Sequence, residues 1–155
     1  MSTVTLWTAA LCKSDPGYGG WAHVRRNADG SLAGAAGGER RTSGARMVLS
    51  GAIEALTALG DAPADTAVTL YFTDPNLAAE LVTADGAYAL AEPEAWAAAR
   101  KLLAARPLLT LALLADAAPA AGFLKAWADF GLDTAKTRGT FKAAIPRPNL
   151  LKFPG

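Results

Sequence analysis

The stretch from Ser43 to Leu59 constrains this chain more than any other. It contains no proline, and its apolar side chains recur at Leu49, Ala52, Ile53, Leu56 and Leu59, in steps of three and four. That spacing places them on one face of an α-helix, and Met47 and Val48 widen the apolar surface at the first turn. Gly60, suited to a left-handed C-cap, follows directly, and Pro63 lies just beyond. Only Arg46 and Glu54 carry charge along the stretch. So little charge predicts a helix enclosed on most sides, packed across a β-sheet.

The chain of 155 residues is expected to form one domain with a sizeable core, since 52% of its residues are hydrophobic. Its longest strongly apolar run, Leu108 to Ala115, is far too short for a membrane span, so no membrane association is expected. Met1-Ser2-Thr3-Val4-Thr5 lacks a basic n-region, and no secretory signal is expected. Cys12 is the only cysteine, which excludes an internal disulfide and a cysteine-cluster zinc site and fits a reducing cytoplasm. Charge is unevenly placed. Residues 1–133 hold ten basic and fourteen acidic residues, whereas residues 134–155 hold Lys136, Arg138, Lys142, Arg147 and Lys152 and no acid. Phosphate binding would therefore involve the C-terminal segment or a local basic strand rather than the body as a whole.

Taken in order, Thr3 to Cys12 reads as a strand rich in β-branched residues, and Lys13 to Gly20 as a loop. Trp21 to Arg26 is a second strand, turned at Asn27-Ala28-Asp29-Gly30 into a glycine-rich third strand, Ser31 to Arg41. After the long helix, Thr66 to Phe72 is a fourth strand. A helix from Pro75 to about Thr83 follows, with Asp74 as its N-cap. Ala84 to Ala91 reads as a connector, Glu94 to Ala105 as a helix and Leu108 to Leu114 as a buried fifth strand. A last helix spans Pro119 to Phe130, capped by Gly131. Three strands joined by short turns are antiparallel, and strands separated by helices add in parallel. The expected architecture is α/β, a mixed five-stranded sheet flanked by helices over residues 1–131. A basic, proline-containing and irregular tail, residues 132–155, would lie extended along the body.

Three segments carry a family resemblance. Asp15-Pro16-Gly17-Tyr18-Gly19-Gly20-Trp21-Ala22 is similar to an Asn-Pro-Gly-Pro-Gly-Gly-Tyr-Gly turn. Arg46-Met47-Val48-Leu49 with Ala52-Ile53-Glu54-Ala55-Leu56 is similar to a helix reading Arg-Met-Glu-Leu, Ala-Ile, Ala-Leu, and Tyr71-Phe72-Thr73-Asp74-Pro75-Asn76 to a strand ending in Thr-Asp-Ser. In this order and at these intervals they resemble ribonuclease H, over roughly residues 3–130. The resemblance implies a ribonuclease H-like fold. It also implies cleavage of the RNA strand of an RNA–DNA hybrid by acidic residues that hold two magnesium ions, since hard cations need several oxygen ligands. On the implied ligand positions this chain has Ala9, Val48 and Asp74. The fourth falls near Trp127 to Asp129, where Asp129 is a candidate, and Asp116 is another possible substitute. The glycine–histidine loop that precedes the family's last helix is missing. Methyl and isopropyl groups donate no oxygen, so the expectation is a ribonuclease H-like protein without metal-dependent nuclease activity. Mg²⁺ or Mn²⁺ would be a cofactor only for a residual nuclease. The family's groove-reading asparagines fall on Gly44 and Ala45, and its loop asparagine on Asp15, while Ser43 and Arg46 remain as phosphate contacts.

Other residues carry two readings each. Asp74 is a relic ligand or simply a helix cap, and His23 an acid–base group or an ordinary half-exposed histidine. Cys12 lacks the partners of a nucleophile, and Gly17 to Gly20 leads into a strand, which makes it a tight turn rather than a phosphate cradle. Trp96 and Trp127 belong in the core. Arg25, Arg26, Arg40 and Arg41, flanking the hairpin, form a basic patch with Lys13 or are solvated strand ends. The tail cations alternate with Phe141, Pro146, Pro148 and Phe153, a pattern that stacks on bases and neutralises phosphates. Equally, Ile145, Leu150, Leu151 and Phe153 dock the tail on its own body.

Three functions follow. The foremost is a catalytically inactive module that binds RNA, DNA or an RNA–DNA hybrid through the hairpin and tail cations. The second is a scaffold that binds another protein or itself. The third is a weak metal-dependent nuclease using Asp74, Asp116, Asp129 and Glu54.

Overall fold

A computed structural model describes residues 3–14, 16–60, 62–83 and 85–155, with the side chains of Ala78 and Val82 left out. Asp15, which stands where the family's loop asparagine is expected and whose charge would repel a phosphate, lies outside the described residues. The fold is α/β, as expected. An antiparallel meander, β1 (Thr3–Lys13), β2 (Gly17–Arg26) and β3 (Leu32–Thr42), runs into helix α1 (Gly44–Thr57). β4 (Ala67–Phe72) then adds parallel to β1, with Thr5 opposite Thr69. Helices α2 (Pro75–Thr83), α3 (Ala87–Ala91) and α4 (Pro93–Ala104) lead to β5 (Leu109–Leu113), parallel to β4. Helix α5 (Pro119–Arg138), β6 (Phe141–Ala144) and α6 (Arg147–Leu150) complete the chain. The strand order is β5-β4-β1-β2-β3-β6. Among the described residues no helix is long and apolar enough to cross a membrane.

The sheet separates two cores, as strand alternation requires. On one face Leu6, Val68, Leu70 and Phe72 pack with Leu49 and Leu56 of α1 and Trp96 of α4. On the other, Trp7, Ala22, Val24 and Ala36 pack with Leu124 and Ala128 of α5 and with Phe153. Helix α1 lies close on the sheet because Gly51 has no side chain: a Cβ there would stand 2.4 Å from Thr8 Oγ1. Ser43 caps α1 by accepting from the Arg46 N–H at 3.0 Å, and Gly60 takes the positive φ of +54° that its position after the helix calls for.

The structure departs from the expected plan in its C-terminal third. The sheet has six strands rather than five, and the sixth comes from the segment expected to be an irregular tail. β3 would otherwise present an open edge at Ala35 to Gly38, where side chains are small, and β6 satisfies its backbone groups by antiparallel pairing. Gly131 does not cap α5. It sits in mid-helix, where α5 crosses β3, and a Cβ on it would stand 2.1 Å from the Gly37 carbonyl oxygen. Small-residue contact, not helix termination, accounts for that glycine. Ile145, Leu150 and Phe153 are buried and Leu151 is exposed, so the last residues dock on the body through three of the four apolar groups expected to do so. Phe153 meets the Trp7 ring edge-on at 4.9 Å and the Phe123 ring at 5.2 Å.

Smaller departures lie elsewhere. The expected connector holds the short helix α3, and β2 begins at Gly17, so Gly17 to Gly20 is strand rather than turn. Gly20 serves the same close packing as Gly131: its Cβ would meet the Ala128 carbonyl oxygen at 1.9 Å. His23 is not half-exposed. It is 5% accessible and stacked on Trp21 with ring centroids 5.9 Å apart.

Candidate functional site

The carboxyl ends of β1 and β4 lie side by side because the two strands are parallel neighbours, the position at which open α/β sheets place their ligands. There Ala9 of β1, Val48 of α1 and Asp74 after β4 line one recess, together with Thr8, Ala10, Phe72 and Thr73. The three sequence positions therefore converge in space. What they bring is apolar, apart from one carboxylate. Ala9 is 4% accessible and belongs to the core beneath α5, and Val48 packs against the opposite core.

Asp74 is already engaged. Its Oδ1 accepts from the Asn76 N–H at 2.9 Å, which caps α2, and its Oδ2 accepts from the Tyr88 hydroxyl. Burial and the carboxylate both push the Tyr88 phenol well above its ordinary range, so it stays a donor. Tyr88 is held in turn by stacking on Trp96 and by its N–H, which donates to Glu80 Oε1 at 2.9 Å. Nothing in the sequence marked Tyr88, because it lies in a stretch without periodicity whose role depends on a contact across the fold.

Two divalent cations need several oxygen ligands and offsetting negative charge. The recess offers one carboxylate with both oxygens hydrogen-bonded, and free space of about 10 Å³, on the order of a single water. Asp116 pairs with Lys125 at 2.6 Å, Asp129 faces Lys13 at 3.9 Å and Glu54 faces Lys142 at 3.2 Å, and none of these acids lines the recess. Among the described residues, no group of three or more His, Cys, Asp and Glu side chains is placed to hold a metal ion. The residues present do not fit a metal pair.

Replacing Tyr88 with phenylalanine removes the hydroxyl from a half-buried, charged acceptor. The expected cost is about 1–3 kcal/mol of stability in urea unfolding. An unchanged midpoint would show that the bond contributes nothing.

The cations expected to read a phosphate backbone divide into two groups. Arg25 and Arg26 lie at the hairpin-turn end of the sheet, where Arg26 pairs with Leu32. Arg40 and Arg41 lie at the other end of the 11-residue β3, on the order of 30 Å away at the strand rise of about 3.4 Å per residue. The expected single patch with Lys13 does not form, because antiparallel pairing over a long hairpin separates its two ends. Arg25 donates to the Ala58 carbonyl, and Arg26 lies 5.3 Å from the Trp7 ring centroid and donates to the Gly155 carbonyl.

Ser43 is engaged as the α1 cap and donates to Glu92 Oε1 at 3.1 Å. Arg46 is held by Glu39 at 2.9 and 3.1 Å, which raises its pKa further. Lys136 is 3.5 Å from Asp133 and 5.6 Å from the Tyr18 ring centroid, and Lys142 is paired with Glu54. Arg138 ends α5, Arg147 flanks the groove between α6 and the turn end of β3, and Lys152 is exposed beyond α6.

No family model matches the chain. Ribonuclease H of Campylobacter jejuni subsp. jejuni is 36% identical over 77 residues, which is 50% of this chain and 49% of that protein. The chain thus spans about half the length of the curated relatives it matches. In structure, ribonuclease H1 of the halophilic archaeon Halobacterium salinarum superposes with a TM-score of 0.70 at 21% identity, covering 86% of this chain and 99% of that one. LC11 ribonuclease H1 in complex with an RNA/DNA hybrid superposes at 0.74 and 16% identity, covering 86% and 99%. The chain therefore has the ribonuclease H fold, and over half of its length it is related in sequence to ribonuclease H enzymes.

Proposed function

We propose that this chain is a catalytically silent ribonuclease H-like protein that binds nucleic acid. The observation that carries the first half is the recess of Ala9, Val48 and Asp74, where two expected carboxylates are hydrocarbon and the third is tied to Asn76 and Tyr88. Two-metal hydrolysis, the kind the resemblance implies, uses one cation at the attacking oxygen and another at the leaving oxygen. This donor set provides neither, so no hydrolytic step is assigned to it.

The second half rests on the fold's relatives and on the cations. One structural neighbour is described with an RNA/DNA hybrid, and among the described residues Arg40 and Arg41, at the end of β3 away from the hairpin turn, form no ion pair. Binding of this kind is electrostatic, and the logarithm of its association constant falls linearly with the logarithm of salt concentration.

The test is to incubate purified protein with a labelled RNA–DNA hybrid in Mg²⁺ and then in Mn²⁺. No cleavage above the protein-free blank is expected, with a gel shift at low salt that fades as salt rises. Metal-dependent cleavage that Asp74→Ala abolishes would overturn the silent reading, and absence of any shift at low salt would overturn the binding one.

A further inference from the structure

The β2–β3 ladder loses its regular register at one point. Gly19 pairs with Glu39, but Gly17 pairs with Thr42. Two residues of β3, Arg40 and Arg41, therefore stand against the single residue Tyr18 of β2. Neighbours on a regular strand point to opposite faces, and an extra residue of this kind breaks the alternation and re-aims side chains. The consequence is visible in the structure: both arginines line one cleft of about 430 Å³, whose other walls are Glu39, Gly139 and Thr140.

The charge of this cleft is not neutralised from within. The Glu39 carboxylate is engaged by Arg46 at 2.9 Å. Among the described residues, Arg40 and Arg41 make no ion pair or side-chain hydrogen bond, and neither does Arg138, which immediately precedes the cleft wall at Gly139. Next to the arginines, Tyr18 is 38% accessible, with the Lys136 ammonium 5.6 Å from its ring centroid. The cleft exists only because α5 runs on to Arg138 and returns through Gly139 and Thr140 into β6, which pairs with β3 beside it.

We propose that Arg40 and Arg41, with Arg138 at the rim, form a phosphodiester-binding cleft that grips a nucleic-acid backbone independently of its sequence. This rests on the reading that the chain binds nucleic acid, and it says where. Two planar guanidinium forks side by side suit the paired oxygens of phosphate better than any point charge. The adjacent exposed phenol ring offers a face to a sugar or base. Ser43, by contrast, is engaged as the α1 cap and by Glu92, and Arg46 is drawn to Glu39 through its Nε.

Deleting the C-terminal segment would remove β6 and the buried Phe153, so substitutions are the sound probe. Full-length wild type, Arg40→Ala/Arg41→Ala and the control Lys101→Ala on α4 are titrated into a fluorescent RNA–DNA hybrid and into each of its strands, across a salt series. All three substituted side chains are exposed, and unchanged melting temperatures confirm intact folds. The Arg40/Arg41 variant is expected to bind all three probes about ten-fold more weakly at low salt, with a salt slope smaller by about one to two, while the control stays near wild type. If wild type binds and the Arg40/Arg41 variant matches it within about two-fold, or the control loses as much, the cleft is wrong and the binding function stands. If wild type binds none of the probes, both fall.

Discussion

Gly131→Ala is expected to destabilise the protein by about 3 kcal/mol or more, read as a lowered midpoint in chemical unfolding. The added methyl would stand 2.1 Å from the Gly37 carbonyl oxygen and 2.6 Å from its carbonyl carbon. Those are backbone atoms in a strand paired on both sides, so no side-chain rotation relieves the overlap. Helix α5 must lift from the sheet, and the contacts of Leu124, Ala128 and Leu132 loosen with it. The natural control lies on the same helix. A Cβ at Gly122 meets nothing within 4 Å, and Gly122→Ala should stabilise by up to about 1 kcal/mol through helix propensity alone. Equal effects at the two sites would show that close packing is not what Gly131 serves. The outcome bears on function too, because α5 ends at Arg138, next to Gly139 of the cleft wall, and sets Lys136 over the Tyr18 ring.

Acidification should weaken the fold through His23. Burial lowers its pKa to about 4, and the nearby positive charges of Arg25 and Lys142 push in the same direction. In the unfolded chain the imidazole titrates near its ordinary 6.5. Between these values the unfolded state holds the proton and the folded state does not, so folding stability is fully present above about pH 6.5 and is lost as pH falls toward 4. The full loss is about 3 kcal/mol, at roughly 1.36 kcal/mol per pKa unit. His23→Phe removes the titration and the buried Nδ1, which has no hydrogen-bond partner among the described residues. The difference between wild-type and variant stability, measured in urea across this range, isolates the histidine from the carboxylates that also titrate there. A difference that does not change with pH would disprove the assignment.

Much of the fold was legible in the chain. The steps of three and four around Leu49 and Leu56, the β-branched run ending at Phe72 and the proline after Asp74 each report on local geometry, and each appears in the structure close to where it was expected. Local signals failed where a residue's conformation depends on what lies across the fold. Gly131 reads as a helix stop by itself but is mid-helix, because a strand backbone passes beneath it. Phe141 to Ala144 has no strand periodicity of its own and becomes a strand because β3 offers an edge to pair with. His23 has a polar side chain inside the ten-residue β2, and only its tertiary surroundings, the stacked Trp21 ring among them, bury it.

The candidate site divides along the same line. That Ala9, Val48 and Asp74 should meet could be inferred from the order of motifs, and they do line one recess. That Asp74 would be tied to Tyr88, that Arg46 would be claimed by Glu39, and that Arg25 would lie a strand's length from Arg40 could not.

By itself the sequence determined the long helix around Leu49 and Leu56, the strand that ends at Phe72, and the replacement of two oxygen-bearing positions by Ala9 and Val48, because periodicity and side-chain chemistry are properties of residues. Tertiary structure alone decided which polar groups remain free to act. Freedom is set by neighbours: Tyr88 engages Asp74, Glu92 engages Ser43 and Glu39 engages Arg46, while beside a register slip Arg40 and Arg41 line a cleft with no ion pair among the described residues.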